Sequence, residues 1–189
     1  MKRKVIALTG KIGSGKSAVS SILRNLGFKT IDCDDLAKQV ADKPDVVARV
    51  EQLLGSKSVL NGKLNRKYIR ETVFSDEKLL KKYQVIFFDG VKSLLVDKLV
   101  ALNEGKAVFV EIPVLDAFPF EWDEVWRVES SRQNSVSRVT ARDTVSADSV
   151  YATLSRQKSY DCSCIIVNNG SLEELTESVR HALSKNGLI

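Results

Sequence analysis

The sequence predicts an α/β fold in which helices cover a parallel sheet. Short apolar runs of strand length alternate with segments whose apolar residues recur every three to four positions, the pattern of strand–helix–strand units. A glycine-rich turn joins the first run to the first helical segment, where such a unit turns from strand to helix.

The elements follow in order. Val5 to Leu8 form the first strand, which Gly10 to Gly15 break. Val19, Ile22, Leu23 and Leu26 line one side of a helix that Gly27 ends. Phe28 to Ile31 give the second strand, and a helix is expected to start near Leu36. From Pro44 to about Glu104 the alternation lapses. Leu80, Tyr83, Phe87, Val91, Leu95, Leu99 and Leu102 keep helical spacing, with Gly90 marking either a break or a close helix contact. This stretch, residues 44–104, reads either as a helical substrate-binding subdomain or as an ordinary helical cover on the sheet. Ala107 to Ile112, Val125 to Val128 and Ile165 to Val167 are three further strands. The last helix starts at Ser171, with Glu174 placed for a capping box.

Composition narrows the class. The 189 residues are 43% apolar and 28% charged, ordinary globular values that exclude a disordered or collagen-like chain. No apolar run approaches the roughly 18 residues of a membrane helix, and the apolar run after the basic start is too short for a signal peptide. A cytoplasmic protein with no membrane partner is expected. The net charge of +5 favours anionic ligands. No zinc-finger spacing or aromatic-basic motif accompanies it, so nucleic acid is not expected as a partner. Cys33, Cys162 and Cys164 make an odd set with the single His181; they read as small core or strand residues.

Gly10-Lys11-Ile12-Gly13-Ser14-Gly15-Lys16-Ser17 satisfies G-x-x-x-x-G-K-[ST] in full, between a strand and a helix as that motif requires. A phosphate chain needs many N–H donors converging on a small concavity. Glycines let the backbone turn around an anion, and the helix N-terminus adds unpaired donors and a favourable dipole. The stretch Gly10 to Ala18 is therefore the expected nucleotide site, with Lys16 bridging the β- and γ-phosphates and Ser17 a ligand for Mg²⁺. The sequence lacks the N-K-x-D and D-x-x-G motifs of a GTPase, which leaves ATP and a small-molecule kinase as the better fit.

Such a kinase needs a base and phosphate-facing arginines. Asp32 and Asp34 follow the second strand, and in extended chain they point to the same side. Either accepts the acceptor's proton or holds Mg²⁺ through water, the preferred residue being Asp34; the alternative is helix capping by Asp34 or Asp35. Glu111, ending the third strand, is a second candidate for the metal's outer shell, or else pairs with a lysine. Arg138 and Arg142 share a helix face and either close over the transferring phosphates or are solvated surface arginines. Asn168-Asn169-Gly170 reads as a turn.

Taken together these residues resemble the dephospho-coenzyme A kinase family, nearly end to end. Ala7 to Ser17 is similar to its phosphate loop, and Ile31-Asp32-Cys33-Asp34 to its Ile-Asp-Ala-Asp. Leu64-Asn65-Arg66 to Arg70 with Val73-Phe74-Ser75-Asp76 resembles its acceptor segment, and Arg138-x-x-x-Arg142-Asp143 its arginine-bearing helix. The resemblance implies a single kinase domain over 1–189, of nucleotide-kinase type: a three-layer fold with a five-stranded parallel sheet, a helical acceptor-binding insertion over about 44–104 and a lid over about 140–162. It implies transfer of the ATP γ-phosphate, with Mg²⁺, to the ribose 3′-hydroxyl of dephospho-coenzyme A. It implies Asp34 as general base, Lys16, Arg138 and Arg142 on the phosphates, and Asn168 and Gly170 near the adenine. The sequence departs from the family at Phe88-Asp89, where His-Pro is usual, at Asp116-Ala117, and at Cys162-Ser163 in place of Ala-Asp. The departures leave two alternatives: a kinase for another small nucleoside-like acceptor, or a catalytically dead nucleotide-binding interaction protein.

Overall fold

The computed structural model describes residues 3–73, 76–102 and 104–189. The strands of the main sheet are β1 (Lys4–Thr9), β2 (Lys29–Asp32), β5 (Ala107–Glu111), β6 (Glu124–Glu129) and β7 (Cys164–Val167), in the spatial order β2-β5-β1-β6-β7. β1 pairs in parallel with β5, Val5 opposite Val108, and with β6, Ala7 opposite Val125; β6 pairs in parallel with β7, Val128 opposite Ile166. β1 is therefore central and enters the phosphate-loop sequence with a neighbour on either side. Its residues Ile6 to Leu8 are fully buried, as a strand covered on both faces requires.

Between the strands run α1 (Lys16–Asn25), α2 (Cys33–Ala41), α3 (Pro44–Leu54), α4 (Arg66–Val73), α5 (Glu77–Ala101), α6 (Arg132–Arg142), α7 (Ala147–Arg156) and α8 (Leu172–Lys185). The largest core lies under α1 and α8. Val19 and Leu23 of α1 and Leu175, Val179 and Leu183 of α8 close over Ile6, Leu8, Phe109, Trp126 and Ile166 of the sheet. Phe109 stands edge-on between Phe28 and Trp126, with ring centroids 5.5 and 5.1 Å apart, within the usual range for favourable aromatic pairs.

By its contacts the chain divides into two compact units. One comprises Met1–Ile31, Glu104–Leu115 and Glu121–Ile189; the other comprises Asp32–Asn103 and Asp116–Phe120. The first holds nearly all of the sheet with α1, α6, α7 and α8. The second holds α2 to α5 and a small hairpin, β3 (Val59–Leu60) with β4 (Lys63–Leu64).

Two local features of the second unit follow from sequence. Asn61 and Gly62 both have positive φ, 51° and 75°, which is the geometry of a two-residue hairpin turn and the reason Asn-Gly is favoured there. Gly90 does not break α5. A Cβ at that position would lie 2.8 Å from Val40 Cγ1 of α2, so the glycine lets α2 and α5 approach closely. Phe74 and Ser75, part of the acceptor-segment resemblance, lie outside the described residues.

Candidate active site

The turn from β1 into α1 builds the first half of the site. Gly15 is the residue before α1, in the left-handed region (φ 96°), and no side chain caps the helix. Among the described residues the N–H groups of Gly13, Gly15 and Ser17 have no protein acceptor, as expected for a helix start left open to an anion. Lys16 Nζ donates to the Gly10 carbonyl at 2.9 Å, across the mouth of the loop. Ser14 Oγ is buried and makes no hydrogen bond among the described residues. Open amides, an unsatisfied hydroxyl and a lysine in one turn fit a chain of phosphates.

The loop's glycines are also required by what packs behind them. A Cβ on Gly10 would lie 2.5 Å from the Val128 carbonyl oxygen, one on Gly13 2.4 Å from that of Ser135, and one on Gly15 2.0 Å from Asn168 Nδ2. Gly13 and Gly15 also have positive φ, 73° and 96°, so a side chain there is strained as well as crowded. β6, α6 and the turn after β7 thus clamp the loop from outside.

Arg138 and Asn168 make the tightest part of that clamp. Buried Asn168 donates from Nδ2 to the Ser14 carbonyl at 2.8 Å. Arg138 donates to the Asn168 carbonyl and Oδ1, each at 3.1 Å, to Ser130 Oγ at 3.0 Å, and more weakly to the Gly13 carbonyl at 3.4 Å. Asn169 Oδ1 accepts from the Ser131 N–H at 2.7 Å and so ties the same turn to the start of α6. Gly170 leaves room for the Glu174 carboxylate to fold back onto the Ser171 N–H at 2.7 Å, completing the expected capping box of α8.

Two of the residues that the sequence offers for a metal, Ser17 and Glu111, are joined through α1 and β5. Ser17 Oγ donates to Glu111 Oε1 at 3.0 Å and Ser20 Oγ donates to Glu111 Oε2 at 2.8 Å. Glu111 therefore pairs with two hydroxyls of α1. Hydroxyl and carboxylate oxygens are hard donors that suit Mg²⁺, which is commonly held by a few protein oxygens, the substrate's phosphates and water. Among the described residues no group of three or more His, Cys, Asp or Glu is arranged to hold a metal alone.

Arg142, unlike Arg138, turns its guanidinium to a neighbour in sequence. It ends α6, is 67% exposed, and pairs with its neighbour Asp143 at 2.7 Å. Their shared hydrogen bond raises the arginine's pKa and lowers that of the carboxylate, an exposed pairing that adds little to stability. Lys11, Ser14, Arg127, Arg132 and Ser135 border a polar cavity of about 240 Å³ beside the loop. Its one carboxylate, Glu129, is paired with Arg127, which leaves the cavity net positive.

Asp32 and Asp34 lie in the second unit. They do not sit side by side on extended chain. Asp32 is the N-cap of α2 and accepts from the Asp34 N–H at 2.8 Å, which puts Asp34 in the first helical turn. The cap is Asp32, where the sequence pointed to Asp34 or Asp35. Asn65 of the acceptor segment accepts from the Tyr68 N–H at the start of α4. Two residues of the first unit went unrecognised in the sequence. Ser20 shares Ser17's helix face, which was a usable signal. Gln157, whose side-chain oxygen accepts from the Ile12 N–H at 2.8 Å, had none.

The sequence model of the dephospho-CoA kinase family matches residues 4–174, from β1 through the loop to the capping box of α8. The chain belongs to the dephospho-CoA kinase family. Members from Staphylococcus aureus and Thermus thermophilus are each 32% identical, over 98% and 96% of this chain and 95% and 91% of their own. A crystal structure of a Thermus thermophilus protein superposes with a TM-score of 0.85 at 30% identity, covering 98% of each chain. The dephospho-CoA kinase of Campylobacter jejuni, at 24% identity and 98% coverage of each chain, gives a TM-score of 0.70. Deoxyadenosine kinase of Mycoplasma mycoides shares the fold alone, with a TM-score of 0.51 at 14% identity over 98% of this chain and 100% of its own. The fold is thus the three-layer α/β fold of phosphate-loop kinases, and membership in the dephospho-CoA kinase family makes the chain a phosphotransferase that uses a nucleotide and a small-molecule acceptor.

Proposed function

We propose that the chain transfers the γ-phosphate of ATP to the ribose 3′-hydroxyl of dephospho-coenzyme A, giving coenzyme A and ADP. One observation carries the reading: the family match spans residues 4–174 and takes in the whole loop, the Asp32–Asp34 segment and the arginine helix. The open amides of the loop and the Ser17–Glu111 contact support it.

In this reading the Gly13 to Ala18 backbone holds the phosphate chain, and Lys16 neutralises charge as it shifts toward the leaving oxygen. Ser17 would hold Mg²⁺, with Glu111 orienting the Ser17 hydroxyl; the ion would supply charge neutralisation at the phosphates. Asp34 accepts the acceptor hydroxyl's proton, and as a second task would help hold Mg²⁺ through water. Arg138 acts by fixing the loop. Arg142, turned to solvent, is the arginine left to meet the transferring phosphate within a lid over about 140–162. Asn168 and Gly170 shape the adenine end, and the acceptor subdomain is the stretch of about 44–104, which falls largely within the second unit. A cytoplasmic location goes with this reading; no helix among the described residues is long and apolar enough to cross a membrane.

The test is a panel of acceptors, dephospho-coenzyme A, adenosine, AMP and a 3′-deoxy analogue of dephospho-coenzyme A, each with Mg-ATP and product identified by mass. Phosphorylation of dephospho-coenzyme A and none of its 3′-deoxy analogue is the expected outcome. Preferential phosphorylation of adenosine or AMP would move the assignment to another nucleoside-like acceptor.

A further inference from the structure

The first half of the phosphate loop is fastened to the last turn of α7 at two points. Gln157, the residue after α7, accepts the Ile12 N–H at 2.8 Å through its side-chain oxygen. Lys11 Nζ donates to the Leu154 carbonyl at 3.2 Å, in the helix's last turn, where carbonyls are left unpaired and a cation meets the negative end of the dipole. Between these bonds the Ile12 side chain packs on Val136, Val139, Val150 and Leu154, the small core that α6 and α7 share. The donors of the loop are thus divided. Ile12 gives its N–H to α7, while those of Gly13, Gly15 and Ser17 stay open.

From this we infer that Gln157 is a positioning residue for ATP: by taking the Ile12 N–H it sets the outer limb of the phosphate loop against α7, so that the remaining amides converge on the anion. The inference rests on the reading of the loop as an ATP site. The two contacts tie the C-terminal end of α7 to the loop in this structure.

The test compares the full-length parent with Gln157→Leu, which removes the acceptor at nearly constant volume, and Gln157→Glu, which keeps an oxygen there. Amide hydrogen exchange at Ile12 in the free protein reads the contact. Mg-ATP binding by calorimetry, with KM and kcat, reads its consequence. Gln157→Leu should speed exchange at Ile12 and raise the KM for ATP about five- to tenfold, as expected for one lost hydrogen bond, with kcat changed less and the melting temperature close to the parent's. Gln157→Glu should keep Ile12 protected. If Gln157→Leu proves unstable, Lys11→Met, which removes only the second tether, should still loosen Ile12 and raise the KM. A parent that binds Mg-ATP beside a stable Gln157→Leu variant with unchanged KM, or unchanged Ile12 exchange, overturns the positioning role and leaves the ATP site standing. A parent that binds no Mg-ATP overturns the ATP reading and the positioning role with it.

Discussion

Lys16 and Asp34 carry the sharpest expectations because each is proposed to act directly on the reacting groups. Lys16 spans the loop to Gly10 and is placed to follow the phosphate oxygens. Lys16→Ala should lose about 3 kcal/mol of transition-state stabilisation, a rate loss on the order of 10² or more; steady-state turnover at saturating ATP measures it. Asp34→Asn keeps the shape and removes the proposed base, so turnover should fall by roughly 10²–10⁴ with ATP binding retained. Asp32 acts differently. Its carboxylate caps α2, so Asp32→Asn, which keeps a capping oxygen, should change stability by a few tenths of a kcal/mol and turnover far less than Asp34→Asn. A slower Asp32→Asn than Asp34→Asn would exchange their roles. Arg138→Ala should raise the KM for ATP and also lower stability by about 1–3 kcal/mol, since it strips donors from Asn168 and the loop in a partly buried setting. Thermal unfolding beside kinetics separates that pattern from Arg142→Ala, whose exposed side chain predicts a loss of turnover without loss of stability.

At the scale of elements, the contact between α2 and α5 is a test of packing. Gly90→Ala gains helix propensity of roughly 1 kcal/mol, yet its methyl would press on Val40 at 2.8 Å from Cγ1 and 3.1 Å from Cγ2. Overpacking of a fully buried valine typically costs about 1–3 kcal/mol, so the variant should be less stable by denaturant unfolding. Val40→Ala combined with Gly90→Ala should be less damaged than the sum of the two single changes. This contact shows what the sequence could and could not convey. An isolated glycine in a helical run admits either a break or a close approach, and only the partner helix decides. The strands β1 and β5 were readable because buried parallel strands are short, apolar and bounded by turn residues, and the loop because its spacing suits a phosphate chain. The Asn61-Gly62 hairpin carried a readable signal in its turn pair. The different surroundings of Arg138 and Arg142 were not readable. Their spacing puts them on one helix face, but burial against Asn168 and the loop separates their environments. Gln157 met Ile12 through a contact distant in sequence, for which local pattern holds no sign.

For the molecule as a whole, the account requires that a phosphate loop of ordinary build be coupled to one acceptor. The family match covers residues 4–174, but the departures at Phe88-Asp89 and Asp116-Ala117 fall in or beside the helical unit, where acceptor choice is proposed to lie. Binding of ATP alone therefore decides little. The most direct measurement is ADP release by the purified full-length protein with Mg-ATP, followed with and without dephospho-coenzyme A. The account predicts slow background release without acceptor, and on its addition a large rise in which one ADP forms for each coenzyme A produced. ADP release that dephospho-coenzyme A leaves unchanged, from a protein that still binds ATP, would contradict it.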